Sequence, residues 1–278
     1  MFANPVPYAG AFAGRWSQIV DLERIYKREG PAVIRRMDGD PVSFVHRWHL
    51  DADREIAGFI AAQFAYGRIE VFMGFLEKLF ALMDEGPERF VRRGAWEGLK
   101  GLYYRFQKED DLVHLFEVLH RIVGDHGSLG AMFRSFYEGD TRRAVWRIRD
   151  AYLAGDDRLT FFFPRPSSTG AQKRWSMFLR WMVRKDEIDI GIWDFIDPAD
   201  LTIPLDTHIY KVGRCLGWTG RKTPSYRAAR EITEALKRYC PSDPLKYDFF
   251  LCHGVGIGAG CTGKRSDRCR EKCAVHEI

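Results

Sequence analysis

The chain lacks the patterns that mark several large classes of protein. Its 278 residues contain no apolar run long enough to span a bilayer, no internal repeat and no low-complexity segment. The stretch from Met1 to Pro5 lacks the basic region and the apolar stretch of a secretory signal peptide. We therefore expect a soluble cytoplasmic protein that contacts no membrane.

A strong excess of one charge is also missing, because the formal net charge is only +5. Such a charge permits nucleic-acid binding without requiring it. The basic residues nevertheless fall into three groups: Arg142, Arg143, Arg147 and Arg149; Lys173, Arg174, Arg180, Arg184 and Lys185; Lys211, Arg214, Arg221 and Lys222. For any one group, a solvated helix face balanced by acidic residues elsewhere is a more common arrangement than a nucleic-acid surface.

Alternating strand patterns are absent, and apolar residues recur instead at helical spacing. The clearest examples are residues 56–80, interrupted near Tyr66-Gly67, and residues 175–183. Hydrophobic residues make up 46% of the chain and aromatic residues 14%, as in a folded protein with a substantial core. The sequence therefore predicts an all-α fold with about ten helices packed in layers.

An acidic residue stands at the start of one amphipathic segment. In the stretch Ile203 to His208, Asp206 follows a proline and precedes the helical pattern, which suits a helix N-cap. The stretch resembles the Val/Leu-Asp-Thr/Val-His signature of helix-hairpin-helix DNA glycosylases, whose essential carboxylate is that aspartate. The resemblance implies that Asp206 is catalytic and that His208 contacts DNA. The cap and the catalyst are compatible, since one carboxylate can serve both.

A glycine-containing turn, residues 168–174, precedes the apolar helix that begins near position 175. A tight turn at a helix N-terminus presents backbone N–H groups to a DNA phosphate. The turn resembles the hairpin motif Leu-Pro-Gly-Val-Gly-x-Lys of the same glycosylases, with Gln172 in place of the second glycine. The resemblance implies that Gly170, Gln172 and Arg174 contact DNA. It also implies that Lys173 is the nucleophile, since an amine can lose its proton whereas a guanidinium stays charged.

Polar and aromatic residues complete the site that the resemblance implies. Phe59-Ile60-Ala61-Ala62-Gln63 resembles a segment of endonuclease III-like glycosylases whose glutamine inserts into the duplex in place of the extruded nucleotide. Gln63 would then fill that gap, although a glutamine at the end of an apolar run also suits a polar boundary. The candidates for stacking on the extruded base are Tyr66, Tyr104, Phe163, Trp175 and Trp181, each of which also suits the core.

The connection between the two implied catalytic residues is long. Asp206 lies 33 positions after Lys173, and this spacing is similar to the archaeal 8-oxoguanine DNA glycosylase branch. Residues 173–184 and 203–208 are similar, nearly letter for letter, to an uncharacterised bacterial family. That family carries Lys-Arg-x-x-Met-Phe-Leu-Arg-Trp-Met-Val-Arg and Ile-Pro-Leu-Asp-Thr-His. The resemblance implies an oxidised base, 8-oxoguanine first, as the substrate.

Three of the six cysteines, Cys261, Cys269 and Cys273, lie in the last eighteen residues. In an intracellular chain such clustering favours a metal site over disulfides. The separations of seven and three residues resemble only in part the Cys-x6-Cys-x2-Cys-x5-Cys loop of endonuclease III, which holds an iron–sulfur cluster.

A fourth ligand is needed, and either Cys252 or His276 could supply it. The remaining cysteines, Cys215 and Cys240, suit buried positions on helices. We expect an iron–sulfur cluster or a zinc ion at Cys252, Cys261, Cys269 and Cys273, because thiolates bind both. A loop of reduced thiols without metal is equally compatible with the spacing.

The resemblance implies a two-domain helix-hairpin-helix glycosylase architecture with a central cleft. Residues 53–184 would form a six-helix barrel with the hairpin. Residues 1–52 and 185–278 would form a second helical domain that ends in the cysteine-containing tail. Lys173 and Asp206 would then face each other across the cleft.

The implied function is base excision from damaged double-stranded DNA by a glycosylase with AP lyase activity, acting as a nucleoid-associated monomer. An alternative is a non-catalytic DNA-binding module, in which Lys173 contacts a phosphate and Asp206 only caps a helix. A third interpretation is a metal-dependent enzyme built on the cysteine tail.

Overall fold

The structure is a computed structural model that describes residues 22–35 and 37–276. Within these ranges every regular element is helical and the strand-like pairings are three isolated bridges, so the predicted all-α class is confirmed. No helix there combines the length and the apolar character of a membrane span. The α-helices are α1 (Leu22–Ile34), α2 (Ser43–His46), α3 (Asp51–Phe64), α4 (Ile69–Phe80), α5 (Pro87–Arg93), α6 (Glu109–His126), α7 (Leu129–Phe136), α8 (Thr141–Leu153), α9 (Lys173–Val183), α10 (Thr207–Cys215), α11 (Tyr226–Lys237) and α12 (Arg268–Lys272).

Shorter helical elements connect these helices. Five of those in the described ranges are 3-10 turns, at Met37–Gly39, Glu97–Leu99, Pro198–Asp200, Pro244–Tyr247 and Ala274–His276. A π-helical segment spans Phe250–Gly258. It packs against both α1 and α10. This part near the C-terminal end of the described chain therefore contacts the first described helix.

The predicted helices lie where the apolar spacing places them, with differences at some ends. The pattern over residues 56–80 divides into α3 and α4 at the expected point, where Gly67 adopts a φ of +92°. Helix α6 continues through Gly124 and ends before Gly127, whose φ is +87°. The described residues hold twelve α-helices instead of about ten, because α2, α5 and α12 are too short to show a periodicity.

Helix α3 is the centre of the core. All of its residues from Ile56 to Phe64 are buried, as expected for a helix that is apolar on every side. It packs against α2, α4, α5, α7 and α9. Gly58 permits the close approach of α9, since a Cβ at this position would lie 2.9 Å from Cε of Met182.

The closest packing falls into two groups. Helices α2 to α9 form a connected series around α3, and α1, α10 and α11 pack with the π-helical segment and the turns at Pro244–Tyr247 and Ala274–His276. Helix α2 belongs to the first group although it precedes position 53. The proposed boundaries at 53 and 184 stay a prediction, and residues 1–21 of the predicted second domain lie outside the described residues.

A buried cluster of ion pairs ties α9 to the chain that follows it. Arg180 donates to Oδ1 of Asp189 at 3.1 Å and also pairs with Asp248. Arg184 binds both oxygens of Asp243, at 2.6 and 2.9 Å, and pairs with Asp189 as well. Arg180 and Arg184 are both buried. The expectation that the basic group from Lys173 to Lys185 lies on a surface is therefore wrong for these two residues. Such a cluster specifies one arrangement of segments more than it adds stability.

Removal of one cation from this cluster tests how much the fold depends on it. We expect Arg180→Met to lower the free energy of unfolding by about 3–5 kcal/mol, because Asp189 and Asp248 would remain buried without their partner. Urea denaturation followed by circular dichroism measures this change. Arg134 pairs with Asp194 on the surface, with both side chains mostly exposed, so Arg134→Met should cost about 1 kcal/mol or less. Equal losses in the two variants would contradict the assignment.

Candidate functional site

Asp206 occupies the N-cap of α10, as its position after Pro204 predicts. Its backbone is extended, with a φ of −102° and a ψ of −174°, and its Oδ1 accepts a hydrogen bond from the N–H of Ile209 at 2.8 Å. This bond satisfies one of the free N–H groups of the first helical turn. The second carboxylate oxygen, Oδ2, is not used for capping and faces away from the helix end, toward two other side chains.

Lys173 is the first residue of α9. The residue before it, Gln172, has a φ of +52°, in the left-handed region that glycine adopts readily and other residues rarely. No side chain caps the first turn of α9, which leaves the positive end of the helix dipole beside Lys173.

The connection before α9 differs from the expected tight hairpin. Helix α8 ends at Leu153 and α9 begins at Lys173, and the chain between them contains one helical turn near Leu159–Phe163. Gly170 pairs with Ser225 in an isolated bridge, and its φ is not in the left-handed region. Among the described residues no α-helix directly precedes the turn at the start of α9, and the helix-hairpin-helix interpretation of this turn stays a prediction.

The two residues that the resemblance implies as catalytic meet in the structure. The Nζ of Lys173 lies 3.9 Å from Oδ2 of Asp206, and the side chains are 35% and 18% exposed. This separation allows electrostatic attraction but is too long for a direct hydrogen bond. The pair therefore lies at the junction of two helix N-termini, with the amine accessible from solvent.

Cys252 is the third group at this junction. Its thiol donates to Oδ2 of Asp206 at 3.6 Å, and burial raises the pKa of Cys252 well above its usual value. It therefore remains a neutral donor. Burial also raises the pKa of the nearby Asp248, whose Oδ1 is buried and accepts no hydrogen bond from the described residues. Position 252 thus belongs to the Lys173–Asp206 site.

The π-helical segment holds α10 in place beside this site. His208, on the first turn of α10, packs against Gly256, where a Cβ would lie 2.7 Å from the Cβ of His208. His253 bonds through Nε2 to Oδ2 of Asp40 at 3.1 Å. Burial alone would raise the pKa of Asp40, but the hydrogen bond and charge of His253 outweigh that effect and lower it. His208 is half-buried at this contact.

Gln63 does not lie at the surface, so its expected insertion into DNA is wrong for this conformation. The residue is 0% exposed, and neither polar atom of its side chain has a hydrogen-bond partner among the described residues. Its backbone carbonyl lies 3.5 Å from Nη1 of Arg174. Gln63 is buried in the core together with the apolar residues that precede it on α3.

Three of the five aromatic candidates belong to the core. Phe163 and Trp181 are 0% exposed and Trp175 is 3% exposed, so none of them can stack on an extruded base in this conformation. The indole N–H of Trp175 donates to the carbonyl of Phe162 at 2.7 Å. The expectation that these residues line a base pocket is wrong, because all three are buried, and Phe163 and Trp175 pack against Phe59 of α3.

Tyr66 and Tyr104 lie near the start of α9, where Arg174 connects them to the site. The ring centroids of the two tyrosines are 4.8 Å apart, and the hydroxyl of Tyr104 donates to the carbonyl of Tyr66. The guanidinium of Arg174 lies 3.4 Å from the ring centroid of Phe161 and 5.8 Å from that of Tyr66. Burial lowers the pKa of Arg174 to about 10, which leaves it charged at neutral pH. Tyr66 is half-buried and Tyr104 is buried.

An exposed aromatic turn beside these residues is not apparent from the sequence. Tyr104 and Gln107 exchange two backbone hydrogen bonds, of 2.9 and 3.0 Å, which closes a two-residue turn in which Arg105 has a φ of +58°. Tyr103 and Phe106 are 72% and 56% exposed on this turn. No glycine marks the turn, so only the run of aromatic residues could have indicated it.

The family of the chain follows from one comparison. A family model described as "Protein of unknown function (DUF2400)" matches residues 40–257, which is more than half of the chain. The chain belongs to the DUF2400 family. No curated protein and no solved structure gives a significant match. The part that matches the DUF2400 model contains Lys173, Asp206 and Cys252 but ends before Cys261.

The three tail cysteines follow the part of the chain that matches the DUF2400 model. They lie close to Cys215, which was expected to be buried on a helix. Cys215, Cys261, Cys269 and Cys273 line one cavity, and Cys252 is not among its lining residues. A hydrogen bond with Cys215 lowers the pKa of Cys261 to about 6 and raises that of Cys215. Cys215, and not Cys252, therefore lies with the tail cysteines, and among the described residues no group of three or more His, Cys, Asp or Glu side chains is placed to hold a metal ion. Cys215 was missed because a cysteine at the end of an amphipathic helix reads as an apolar residue.

The double use of Asp206 predicts different effects of two substitutions on stability. Asp206→Ala should lower the free energy of unfolding by about 1 kcal/mol, because the first turn of α10 loses its cap. Asp206→Asn should change it much less, since asparagine caps helices about as well as aspartate. Urea denaturation measures both. Equal losses would show that charge, and not the bond to the N–H of Ile209, carries the effect.

Proposed function

We propose that this protein is a DNA glycosylase with AP lyase activity, built on the two-domain helix-hairpin-helix architecture with a central cleft. One observation carries the proposal, namely the 3.9 Å approach of Lys173 Nζ to Asp206 Oδ2 from positions that are 33 residues apart in the chain. An oxidised base, with 8-oxoguanine first, is the substrate, and double-stranded DNA is the partner. The protein acts as a monomer.

The surroundings of the pair support this chemistry. Asp206 is held rigidly because Oδ1 caps α10 and Oδ2 accepts from Cys252. Lys173 is about one third exposed and is not held by a direct hydrogen bond to Asp206, so its amine can approach a sugar. A positioned carboxylate beside a mobile amine is the arrangement that nucleophilic catalysis requires.

The first step would be attack at the sugar. The damaged nucleotide must leave the base stack, at a cost of a few kcal/mol. The neutral amine of Lys173 then bonds to C1′, and the bond from C1′ to the base nitrogen breaks, so that the base leaves with the electron pair and takes up a proton. Asp206 stabilises the positive charge that develops on the sugar.

The second step would be strand cleavage. Opening of the sugar ring at C1′ gives a C=N bond to Lys173, which is a Schiff base. Loss of a proton from C2′ then expels the phosphate at C3′, and water releases the product from the lysine. Asp206 is close enough to Lys173 to assist these proton transfers.

The start of α9 would bind the DNA backbone near the reacting sugar. Its first turn has no side-chain cap, and a free helix N-terminus attracts phosphate. Arg174 adds a positive charge, although its guanidinium is engaged by Phe161. Gln172 and Gly170 contribute backbone groups to this turn.

The aromatic turn would take the role expected for Gln63. Tyr103 and Phe106 are exposed, and Arg105 and Lys108 on the same turn are exposed cations. Exposed aromatic rings beside cations are suited to stacking on bases while the cations contact phosphates. Contact between the rings of Phe106 and Phe161, 4.9 Å apart, continues this surface to Arg174 and the start of α9.

The absence of an α-helix directly before the turn at the start of α9, among the described residues, favours one other function, a DNA-binding module without catalysis. In that case Lys173 would contact a phosphate and Asp206 would serve only as the cap of α10. This alternative needs the same surface but no covalent step. The two functions therefore differ in whether a covalent protein–DNA adduct forms.

Trapping with borohydride separates the two functions. Incubation of the protein with a duplex containing 8-oxoguanine, followed by reduction, should give a covalent protein–DNA adduct. Lys173→Gln should abolish the adduct and leave duplex affinity nearly unchanged, and Asp206→Asn should slow adduct formation by about 10²–10⁴-fold. Denaturing gel electrophoresis measures the adduct, and fluorescence anisotropy measures the affinity.

Lys78→Gln is the matched control, because Lys78 is an exposed lysine on α4 and should not affect trapping. Duplex binding without an adduct across a panel of oxidised bases would leave the binding module as the function. An adduct that persists in Lys173→Gln would overturn the assignment of the nucleophile.

Substitutions in the aromatic turn test its proposed role. Tyr103→Ala and Phe106→Ala should each weaken duplex binding by roughly tenfold, the effect of losing about 1.4 kcal/mol of stacking. Leu50→Ala is the control, because Leu50 is 69% exposed but precedes the opposite end of α3, about 20 Å away. Unchanged affinity in both aromatic variants would remove this turn from the DNA surface.

A further inference from the structure

Two cavities adjoin each other where α8, α9 and α11 meet. The smaller has a volume of about 250 Å³ and the larger of about 480 Å³. Thr141, Thr202 and Tyr226 line both of them, so the two spaces share a wall. Lys173 and Asp206 line neither cavity, so this region lies outside the candidate catalytic site.

The smaller cavity contains hydrogen-bond donors and no acidic side chain. Its polar side chains are one guanidinium, one amide and four hydroxyl groups, from Arg142, Gln172, Thr141, Ser176, Thr202 and Tyr226. The other lining residues are apolar. Since guanidinium and amide N–H groups donate, and hydroxyl groups both donate and accept, this wall is suited to a ligand with acceptor atoms.

Arg142 lacks the anionic partner that would offset its charge. Its Nη2 donates to the carbonyl of Ser168, and its guanidinium lies 3.9 Å from the ring centroid of Tyr226. The Nε of Arg142 is buried and has no hydrogen-bond partner among the described residues. Asp140 instead caps α8 and pairs with Arg143 at 3.6 Å. Burial lowers the pKa of Arg142, because its charge is partly removed from water without a direct ion pair.

Gln172 supplies a second unused donor in the same wall. The Nε2 of its side chain is buried and has no hydrogen-bond partner among the residues that the structure describes. Buried donors without partners are rare in folded proteins, and a bound ion is one explanation for them. An acceptor that satisfies both donors and the hydroxyl groups is an anion with several oxygen atoms. Phosphate is such an anion, and arginine binds it through charge-assisted hydrogen bonds.

The larger cavity indicates what the phosphate is attached to. Its wall includes three acidic residues, Asp140, Asp200 and Glu234, which would repel a phosphate. Two cations of this wall, Arg230 and Lys237, pair with Glu234 at 3.6 and 3.5 Å. Carboxylates accept hydrogen bonds from hydroxyl groups. A hydroxyl-rich group, such as a sugar, therefore fits the larger cavity while its phosphate lies in the smaller one.

We infer that the junction of α8, α9 and α11 binds a small phosphate monoester with a hydroxyl-rich organic part, such as a sugar phosphate. Arg142 and Gln172 bind the phosphate, and the carboxylates of the larger cavity bind the hydroxyl groups. Because Gln172 directly precedes Lys173, the bound ligand holds the start of α9 in place. The inference goes beyond the proposed function and does not rest on it, since this binding requires no DNA and no covalent step.

Calorimetric titration of the full-length protein at constant ionic strength tests this inference. The ligands are ribose 5-phosphate, inorganic phosphate and ribose. Ribose 5-phosphate should bind saturably and more tightly than inorganic phosphate, and ribose should not bind at the same concentrations. Arg142→Gln should weaken binding of ribose 5-phosphate by about 10–100-fold, the effect of losing a charged hydrogen-bond donor.

Two further variants separate a binding role of these residues from a purely structural one. Gln172→Gly should fold, because glycine readily adopts the φ of +52° found at this position, and it should weaken binding severalfold. Arg143→Gln is the matched control, because Arg143 is exposed, lines neither cavity and should not affect the affinity. Far-UV circular dichroism checks that all three variants are folded.

Three results would overturn the inference. The first is no saturable binding of either phosphate compound to the wild type, and the second is equal affinity in the wild type and Arg142→Gln. The third is displacement of ribose 5-phosphate by an unmodified DNA duplex, which would assign the phosphate contacts to DNA. Binding of ribose 5-phosphate that the duplex does not reduce would support the small-molecule site, whether or not a borohydride adduct forms with DNA.

Discussion

The site depends on the pairing of the buried Arg180 and Arg184 with four aspartates. Arg180 lies about two turns, roughly 10 Å, along α9 from Lys173. Its partner Asp248 precedes the π-helical segment, which packs on α10. The ion pairs therefore fix the start of α9 relative to the start of α10. A shift of α9 by one turn would leave buried charges without partners, and this cost specifies a single register.

Asp206 has two roles, one for each oxygen of its carboxylate. One oxygen caps α10, and the other faces Lys173 and the thiol of Cys252. The cap restricts the rotation of the carboxylate, so its free oxygen has one direction in which to act. Rigid placement of this kind is what preorganised electrostatic stabilisation requires. In the proposed enzyme, the structural role of Asp206 is therefore part of the catalytic role.

Some of these features could be predicted from the sequence. Helical spacing located α3, α4 and α9, because each has a wide apolar face. The cap at Asp206 follows from an aspartate at the start of an amphipathic segment. The proximity of Lys173 to Asp206 came only through the resemblance, since no local pattern relates positions so far apart in the chain.

Other features depend on tertiary contacts that the sequence does not display. Gln63 and Trp175 have the residue types of DNA contacts, but the packing of α9 on α3 buries them. The two-residue turn that exposes Tyr103 contains no glycine, so it carries no turn signal. Cys215 joins the tail cysteines only because the tail folds back along α10.

The most direct test of the central claim is to identify the residue that bonds to DNA. The protein would be reduced with borohydride during reaction with a duplex containing 8-oxoguanine, digested, and mapped by mass spectrometry. The proposed chemistry requires the reduced sugar to be attached to Lys173. Attachment to another lysine, or strand cleavage with no attachment to any lysine, would contradict it.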